Sequence, residues 1–244
     1  MIFSSVPSWL TFLAYAYIAS AALCALYIAY DIFARGNRQM MPIMDYVWPI
    51  TAMYLNAFGL WAYLDMGRPD SMRMKGMPMT KEHMQHMAHM QHSQKPFWKS
   101  IFVSATHCGA GCEIGDFVGE WAVFLAIPVL FGSLLYTEYA VDFVFAYALG
   151  IFFQYIPIRQ ATPSLTFGKA LSHAIKADSF SLLAFEVGLF GWMALFNLVL
   201  FAPGVINPGM AVYWFMMQIG MLLGHFTSYP ANWFLVKTGI KAGM

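Results

Sequence analysis

The chain has 244 residues, of which 60% are apolar and only 10% are charged. No soluble globular domain needs so apolar a composition to fill its core, so the composition excludes an ordinary soluble protein and predicts an all-α integral membrane protein. A formal net charge of +1 provides no basic surface for nucleic acid, which we exclude as a partner.

Six apolar runs predict transmembrane helices, because each has about the 20 residues that cross a hydrocarbon layer of about 30 Å. In chain order they are Trp9–Tyr30, Val47–Leu64, Phe117–Tyr136, Tyr139–Ile156, Phe180–Phe201 and Met210–Tyr229. The first run is too long for the apolar part of a signal peptide, and no Lys or Arg precedes it, so we expect it to be retained. The predicted fold is a polytopic transmembrane helical bundle surrounded by lipid.

A polar segment, Met66–Lys99, follows the second run and contains eight Met and four His. Pro69, Gly76 and Pro78 exclude one continuous helix in its first part. We therefore predict a flexible arm at residues 66–98, which separates two N-terminal helices (residues 1–65) from a four-span domain (residues 99–244).

The side chains of this Met/His arm favour a soft metal ion. A thioether sulfur is soft and neutral and an imidazole nitrogen is borderline, so both suit Cu(I) or Ag(I) better than Mg²⁺ or Ca²⁺. The alternative, a linker made polar by His and Gln, leaves unexplained why so many methionines, which are usually buried, stand in a polar loop. The predicted ligands are Met72, Met74, Met77, Met79, His83, Met84, His86, Met87, His89, Met90 and His92.

The segment Ser100–Asp116 is too short and polar for a complete span, and its glycines permit broken backbone inside a bundle. We predict a short buried half-helix here, which gives six spans plus the half-helix; a lengthened third span or a seventh span is the alternative. With six spans and both termini cytoplasmic, eleven Lys and Arg lie inside and two outside. The positive-inside rule prefers this arrangement over seven spans, which would place seven inside and six outside.

The same segment contains a second set of metal-seeking residues, in the motif "THCGAGCEIGD". On a helix Cys108, Cys112, Asp116 and Glu120 follow at i+4 and share one face, with His107 beside them. Thiolates bind Cu(I), Zn²⁺ or Hg²⁺ strongly, so we predict a metal site formed by His107, Cys108, Cys112 and Asp116. The alternative is two small cysteines that pack beside glycines.

The last two apolar runs add further candidate ligands. Glu186 lies inside the fifth run, where a carboxylate is costly unless it is paired or faces water. Met217, Met221 and His225 stand at i+4 intervals in the last run, and a histidine there needs a partner, for which Glu186, Cys112 or a metal are candidates. For the two methionines, ordinary packing is an open alternative.

Two motifs carry a resemblance to a bacterial membrane family, the domain of unknown function 4396. They are "SATHCGAGCEIGDFVGEW" (Ser104–Trp121) and "TSYPANWFLVKTGIKAGM" (Thr227–Met244), and the similarity extends from about Phe97 to the C-terminus. The resemblance implies a multi-pass protein of the bacterial inner membrane, but no reaction. It implies a shared core that contains His107, Cys108, Gly111, Cys112, Gly115, Asp116, Tyr229, Pro230, Asn232 and Trp233.

The function that these patterns favour is binding of a soft metal, copper as Cu(I), for transport, transfer or resistance. In this hypothesis the arm collects the metal, the cysteine site selects it and the Met217–His225 line offers onward ligands. No enzyme activity is assigned. Two alternatives stay open: a membrane thiol-disulfide oxidoreductase that uses Cys108 and Cys112, and a non-catalytic copper-binding subunit of a larger complex or a homo-oligomer.

Overall fold

The computed structural model describes residues 2–68, 96–126, 128–130 and 132–243. In these residues there are six long helices and no strand, which confirms the all-α class. The helices are α1 (Ser8–Ala29), α2 (Met44–Ala62), α3 (Phe97–Leu125), α4 (Leu134–Ala161), α5 (Phe167–Leu195) and α6 (Ala211–Lys237). Short π-helical turns extend α1, α2 and α5, at Tyr30–Ala34, Tyr63–Gly67 and Phe196–Leu200.

Three of these helices are long and apolar enough to cross a membrane. They are α1 and α5, each taken with its π-helical turn, and α4, over Ser8–Ala34, Phe167–Leu200 and Leu134–Ala161. On the outer side of α1, large apolar side chains such as Phe12, Leu23 and Leu26 are exposed. Exposed apolar side chains on such helices are compatible with contact to lipid.

The second apolar run is not a straight helix, because α2 folds back on itself at Asn56. This residue has φ 53° and ψ −132°, which breaks the helix. The rings of Trp48 and Tyr63 are 5.8 Å apart, whereas a straight helix would separate these residues by about 22 Å. The halves 44–55 and 57–62 are therefore antiparallel, and our prediction that Val47–Leu64 crosses the membrane as one span is wrong.

Side chains from neighbouring helices satisfy the backbone at the tip of this α2 hairpin. The Tyr17 hydroxyl donates to the carbonyl of Tyr54 at 3.1 Å, and the Gln218 amide donates to the carbonyl of Met53 at 2.7 Å. The Asn56 amide donates to Ser20 Oγ at 2.7 Å. Broken backbone in an apolar interior requires such partners, so α1 and α6 hold the tip in the middle of the bundle.

Helix α3 is continuous from Phe97 to Leu125, so the predicted half-helix at Ser100–Asp116 is wrong and the helix begins early, as in the alternative of a lengthened third run. The predicted third run also ends too late. The chain leaves the helix after Leu125 and α4 begins at Leu134, with Pro128 and a positive-φ Gly132 (φ 67°) between them. The glycines of α3 serve helix packing instead of a break.

Small residues allow α3 and α4 to pack backbone against backbone. A Cβ atom on Gly115 would lie 2.3 Å from the Cα of Ala146, and one on Gly111 would lie 2.7 Å from the Cα of Gly150. These glycines are four residues apart, as are their partners, so the helices are antiparallel and in contact over several turns. Close approach through small residues is a common mode of helix association in membranes.

The contacts assign each chain segment to one of two ends of the bundle. Phe3 pairs with Leu200, which puts the N-terminus beside the end of α5. At the other end Lys99 forms an ion pair with Asp65 at 2.8 Å, so α3 starts where the α2 hairpin ends. We call this second end the basic end. All nine described Lys and Arg lie at it or in the half of the bundle nearer to it: Arg35, Arg38, Arg68, Lys99, Arg159, Lys169, Lys176, Lys237 and Lys241.

Candidate functional site

The two cysteines of the central motif are fully buried near the middle of α3. Cys108 Sγ lies 3.4 Å from the Ser181 hydroxyl of α5, and the Cys112 thiol faces the Glu186 carboxyl group. They do not form a disulfide. As predicted, the helix places Cys108, Cys112, Asp116 and Glu120 in one buried row.

The structure does not bring the predicted four-residue metal set to one point. The His107 ring packs against Phe153, with ring centroids 6.3 Å apart, and faces Asp178 instead of the thiols. Asp116 is buried without a hydrogen-bond partner and faces other acidic groups. Among the described residues, no three His, Cys, Asp or Glu side chains are arranged to hold a metal ion.

A pocket of about 420 Å³ lies between α1, α2, α3 and α6, at the tip of the α2 hairpin. It extends from the tip toward the N-terminal end of the bundle, where Trp121 and Trp214 line it. Its lining is almost entirely apolar, with three thioether groups, one amide and one carboxyl group. These five side chains are Met53, Met217, Met221, Gln218 and Glu113.

His225 has a different partner from those that we predicted. Its Nδ1 lies 3.2 Å from the Tyr54 hydroxyl, while its Nε2 has no hydrogen-bond partner. Tyr54 is fully buried, and a Cβ atom on Gly109 would lie 2.7 Å from its hydroxyl. The hydroxyl of Tyr54 therefore lies between α6 and the part of α3 that carries the thiols.

A buried ion pair ties the C-terminal motif to the same region. The Lys241 ammonium group donates to Asp178 Oδ1 and, at 2.8 Å, to Asn232 Oδ1. Asp178 Oδ1 also accepts a hydrogen bond from the Ser181 hydroxyl, which contacts Cys108. The two sequence motifs thus meet through α5.

Several residues of this site were missed by the sequence analysis. Met53 and Tyr54 belong to an apolar run that was treated as an ordinary span, and Glu113 was passed over beside Cys112. The signal that could have found them is Asn56, a polar residue in the middle of an apolar run where broken helices bind ligands. The Met/His arm, from Met72 to His92, lies outside the described residues.

Comparison with known proteins adds a family but no activity. A family model described as a domain of unknown function, DUF4396, matches residues 97–241, which is more than half of the chain and agrees with the resemblance of the two motifs. No curated protein and no solved structure matches the chain. The match begins at the first residue of α3 and ends at Lys241, so the two cysteines of α3 and the buried ion pair both lie within it. The chain therefore belongs to the family of the domain of unknown function 4396.

Proposed function

We propose that this protein resides in the bacterial inner membrane, where it binds Cu(I) and passes it along the bundle for transport, transfer or resistance. The single observation that carries the proposal is the pocket that is lined by Met53 from α2 and by Met217 and Met221 from α6. Neutral thioethers in an apolar pocket suit a soft monovalent ion. They bind it less tightly than thiolates, which a site on a transport path needs in order to release its ion.

In this proposal the thiols of Cys108 and Cys112 bind the ion after it has passed through the pocket. Glu113, which lines the pocket, follows Cys112 directly in α3, so the pocket and the thiols are neighbours through one turn of helix. A bound cation would keep the thiols deprotonated in these apolar surroundings. The described residues that flank the Met/His arm, Arg68 and Lys99, lie at the basic end, so in this proposal the arm exchanges metal with the cytoplasm.

The membrane topology that the contacts support has five spans and one re-entrant hairpin. Helix α3 packs antiparallel to α4, and α6 packs antiparallel to α5, so both cross together with the apolar helices. The α2 hairpin instead enters and leaves at the basic end. Because the described Lys and Arg gather there, the positive-inside rule assigns that end to the cytoplasm. This arrangement places the N-terminus outside, whereas six spans would place it inside.

Cysteine labelling tests this topology. In intact cells, an impermeant maleimide is expected to label a Ser5→Cys variant, but to label a Ser164→Cys variant only after the membrane is opened. Both positions are exposed, and they lie at opposite ends of the bundle. The parent chain, whose three cysteines are buried or half-buried, is the control. Equal protection of both variants in intact cells would refute the five-span arrangement and restore six spans.

Silver titration of the purified full-length chain tests the pocket. Ag(I) is expected to quench the fluorescence of Trp121 and Trp214, which line the pocket, whereas the predicted arm ligands lie in Met72–His92, a segment without Trp. A variant with Met53, Met217 and Met221 all changed to Leu should need more than about ten-fold more Ag(I), since even the loss of a supporting group can cost that much.

Met216→Leu is the matched control for this experiment. Met216 is buried next to Met217 on α6 but does not line the pocket, so this variant should titrate like the parent chain. The same titration curve for the triple variant and the parent chain would exclude the thioethers as ligands. The metal would then be held elsewhere, and the pocket would not support the proposed function.

Thiol redox chemistry is the weaker alternative, for a reason of geometry. Cys108 and Cys112 lie four residues apart in a continuous helix, which puts their Cα atoms about 6 Å apart, near the limit for an unstrained disulfide. Both thiols are also fully buried, away from any reactant in solution. These features favour a ligand role over cycling between thiol and disulfide.

A further inference from the structure

Three carboxyl groups meet between α3 and α4, near the N-terminal end of the bundle and apart from the metal pocket. Glu120 and Asp142 are fully buried and Glu138 is 6% exposed. Asp142 reaches α3 because the neighbouring position is a glycine: a Cβ atom on Gly119 would lie 2.3 Å from Asp142 Oδ1. Glu138 lies one turn before Asp142 on α4, on the side of the loop that joins α3 and α4.

No cation neutralises these three groups within the described part of the chain. The ion pairs seen there involve only Asp31, Asp45, Asp65 and Asp178. The titratable groups that face the cluster are Asp116 from α3, Glu186 from α5 and Tyr213 from α6. All of them are acidic or phenolic, so none supplies a positive charge.

Tyr213 is the independent indication that the cluster binds something. Its side chain is 2% exposed, it faces Glu120, and its hydroxyl has no hydrogen-bond partner. Both carboxyl oxygens of Glu120 and of Asp142 are likewise buried without a partner. A buried hydroxyl that faces the unpartnered Glu120, with the unpartnered Asp142 beside it, is a costly arrangement unless a proton completes the hydrogen bonds between the carboxyl groups.

We propose that Glu120, Asp142 and Glu138, with Tyr213, form a proton-binding site that exchanges protons with the N-terminal end of the bundle. Carboxyl groups that are buried together without a cation cannot all stay ionised, and two close carboxylates hold one proton between them. A proton enters at Glu138 and binds to one carboxylate of the Glu120–Asp142 pair. This changes the charge of the pair from −2 to −1. It leaves by the same route. The proposal does not depend on metal binding.

Carbodiimide labelling of the full-length protein in sealed vesicles tests this site. A membrane-permeant carbodiimide reacts with a carboxyl group only while that group carries a proton, and peptide mass spectrometry locates the product. We expect labelling at Glu120, Asp142 or Glu138. Asp178 is the internal control, since it is equally buried but paired with Lys241, and it should stay unlabelled.

The pH on each side of the vesicle membrane is set separately in this experiment. Labelling should fall when the pH rises on the side of the N-terminus, and Glu138→Gln, which keeps the size of the side chain, should slow the response of the inner pair. Labelling that follows the opposite side, or that is equal at Asp178, would overturn the proposal. So would a cluster that never reacts at any pH at which the protein stays folded.

Discussion

Replacing Lys241 by methionine is expected to destabilise the protein by about 3–5 kcal/mol, the cost of leaving a buried charge without its partner. Lys241 and Asp178 have no exposed side-chain surface. Removal of the ammonium group leaves the Asp178 carboxylate without a counter-charge, and it also deprives Asn232 Oδ1 of its hydrogen-bond donor. The measurement is chemical or thermal unfolding of the purified protein in one detergent.

A second variant separates the ion pair from simple packing. Asp178→Asn combined with Lys241→Met leaves no unpaired charge, so it should recover most of the lost stability. Lys237→Met is the control, because Lys237 is exposed and stacks on Trp233, and it should change stability little. A double variant that is as unstable as the single one would show that Lys241 acts through its volume.

Changing Gly115 to alanine is expected to destabilise the protein by about 1–3 kcal/mol, although alanine is the better helix former. The added methyl group would lie 2.3 Å from the Cα of Ala146, and a backbone atom cannot turn aside as a flexible side chain can. The two helices would have to separate, which would also disturb the buried row of Cys112 and Asp116. Unfolding measurements on the purified variant give the size of the effect.

Gly168→Ala provides the matched comparison. Gly168 lies in the first turn of α5, where nothing lies within 4 Å of an added Cβ atom. The same chemical change there should stabilise the protein slightly, by up to about 1 kcal/mol, through helix propensity alone. If both variants moved stability in the same direction, close contact between α3 and α4 would not be what holds these helices together.

Sequence patterns predicted the helical class and the buried row from Cys108 to Glu120, because both depend on local composition and on the period of a helix. They failed at Asn56, because two antiparallel half-helices are as apolar as one straight span. Hydropathy therefore does not reveal that the chain reverses its direction there. They also failed at the end of α3. Val129 and Leu130 are as apolar as the inside of a span, so the predicted third run continued to Tyr136 and left Glu138 in the loop after it. Asp142, one turn further along α4, was overlooked.

The composition of the pocket was beyond prediction for another reason. Met53 and Met221 come from distant parts of the chain, and only the reversal of α2 brings them together. His225 was expected to need a partner, and the structure supplies Tyr54 from the same hairpin. Both contacts depend on tertiary arrangement, which no local pattern in α6 contains.

The α2 hairpin also has an electrical consequence. In the proposed topology its tip lies at mid-depth, with the pocket on one side and packed protein on the other, so an ion at the tip would have only about half of the 30 Å hydrocarbon layer left to cross. Where water fills the pocket, the membrane potential, worth about 2.3 kcal/mol per elementary charge per 100 mV, falls mainly over the packed half. Voltage would therefore act on a cation chiefly in the step between Met53 and the cytoplasmic surface.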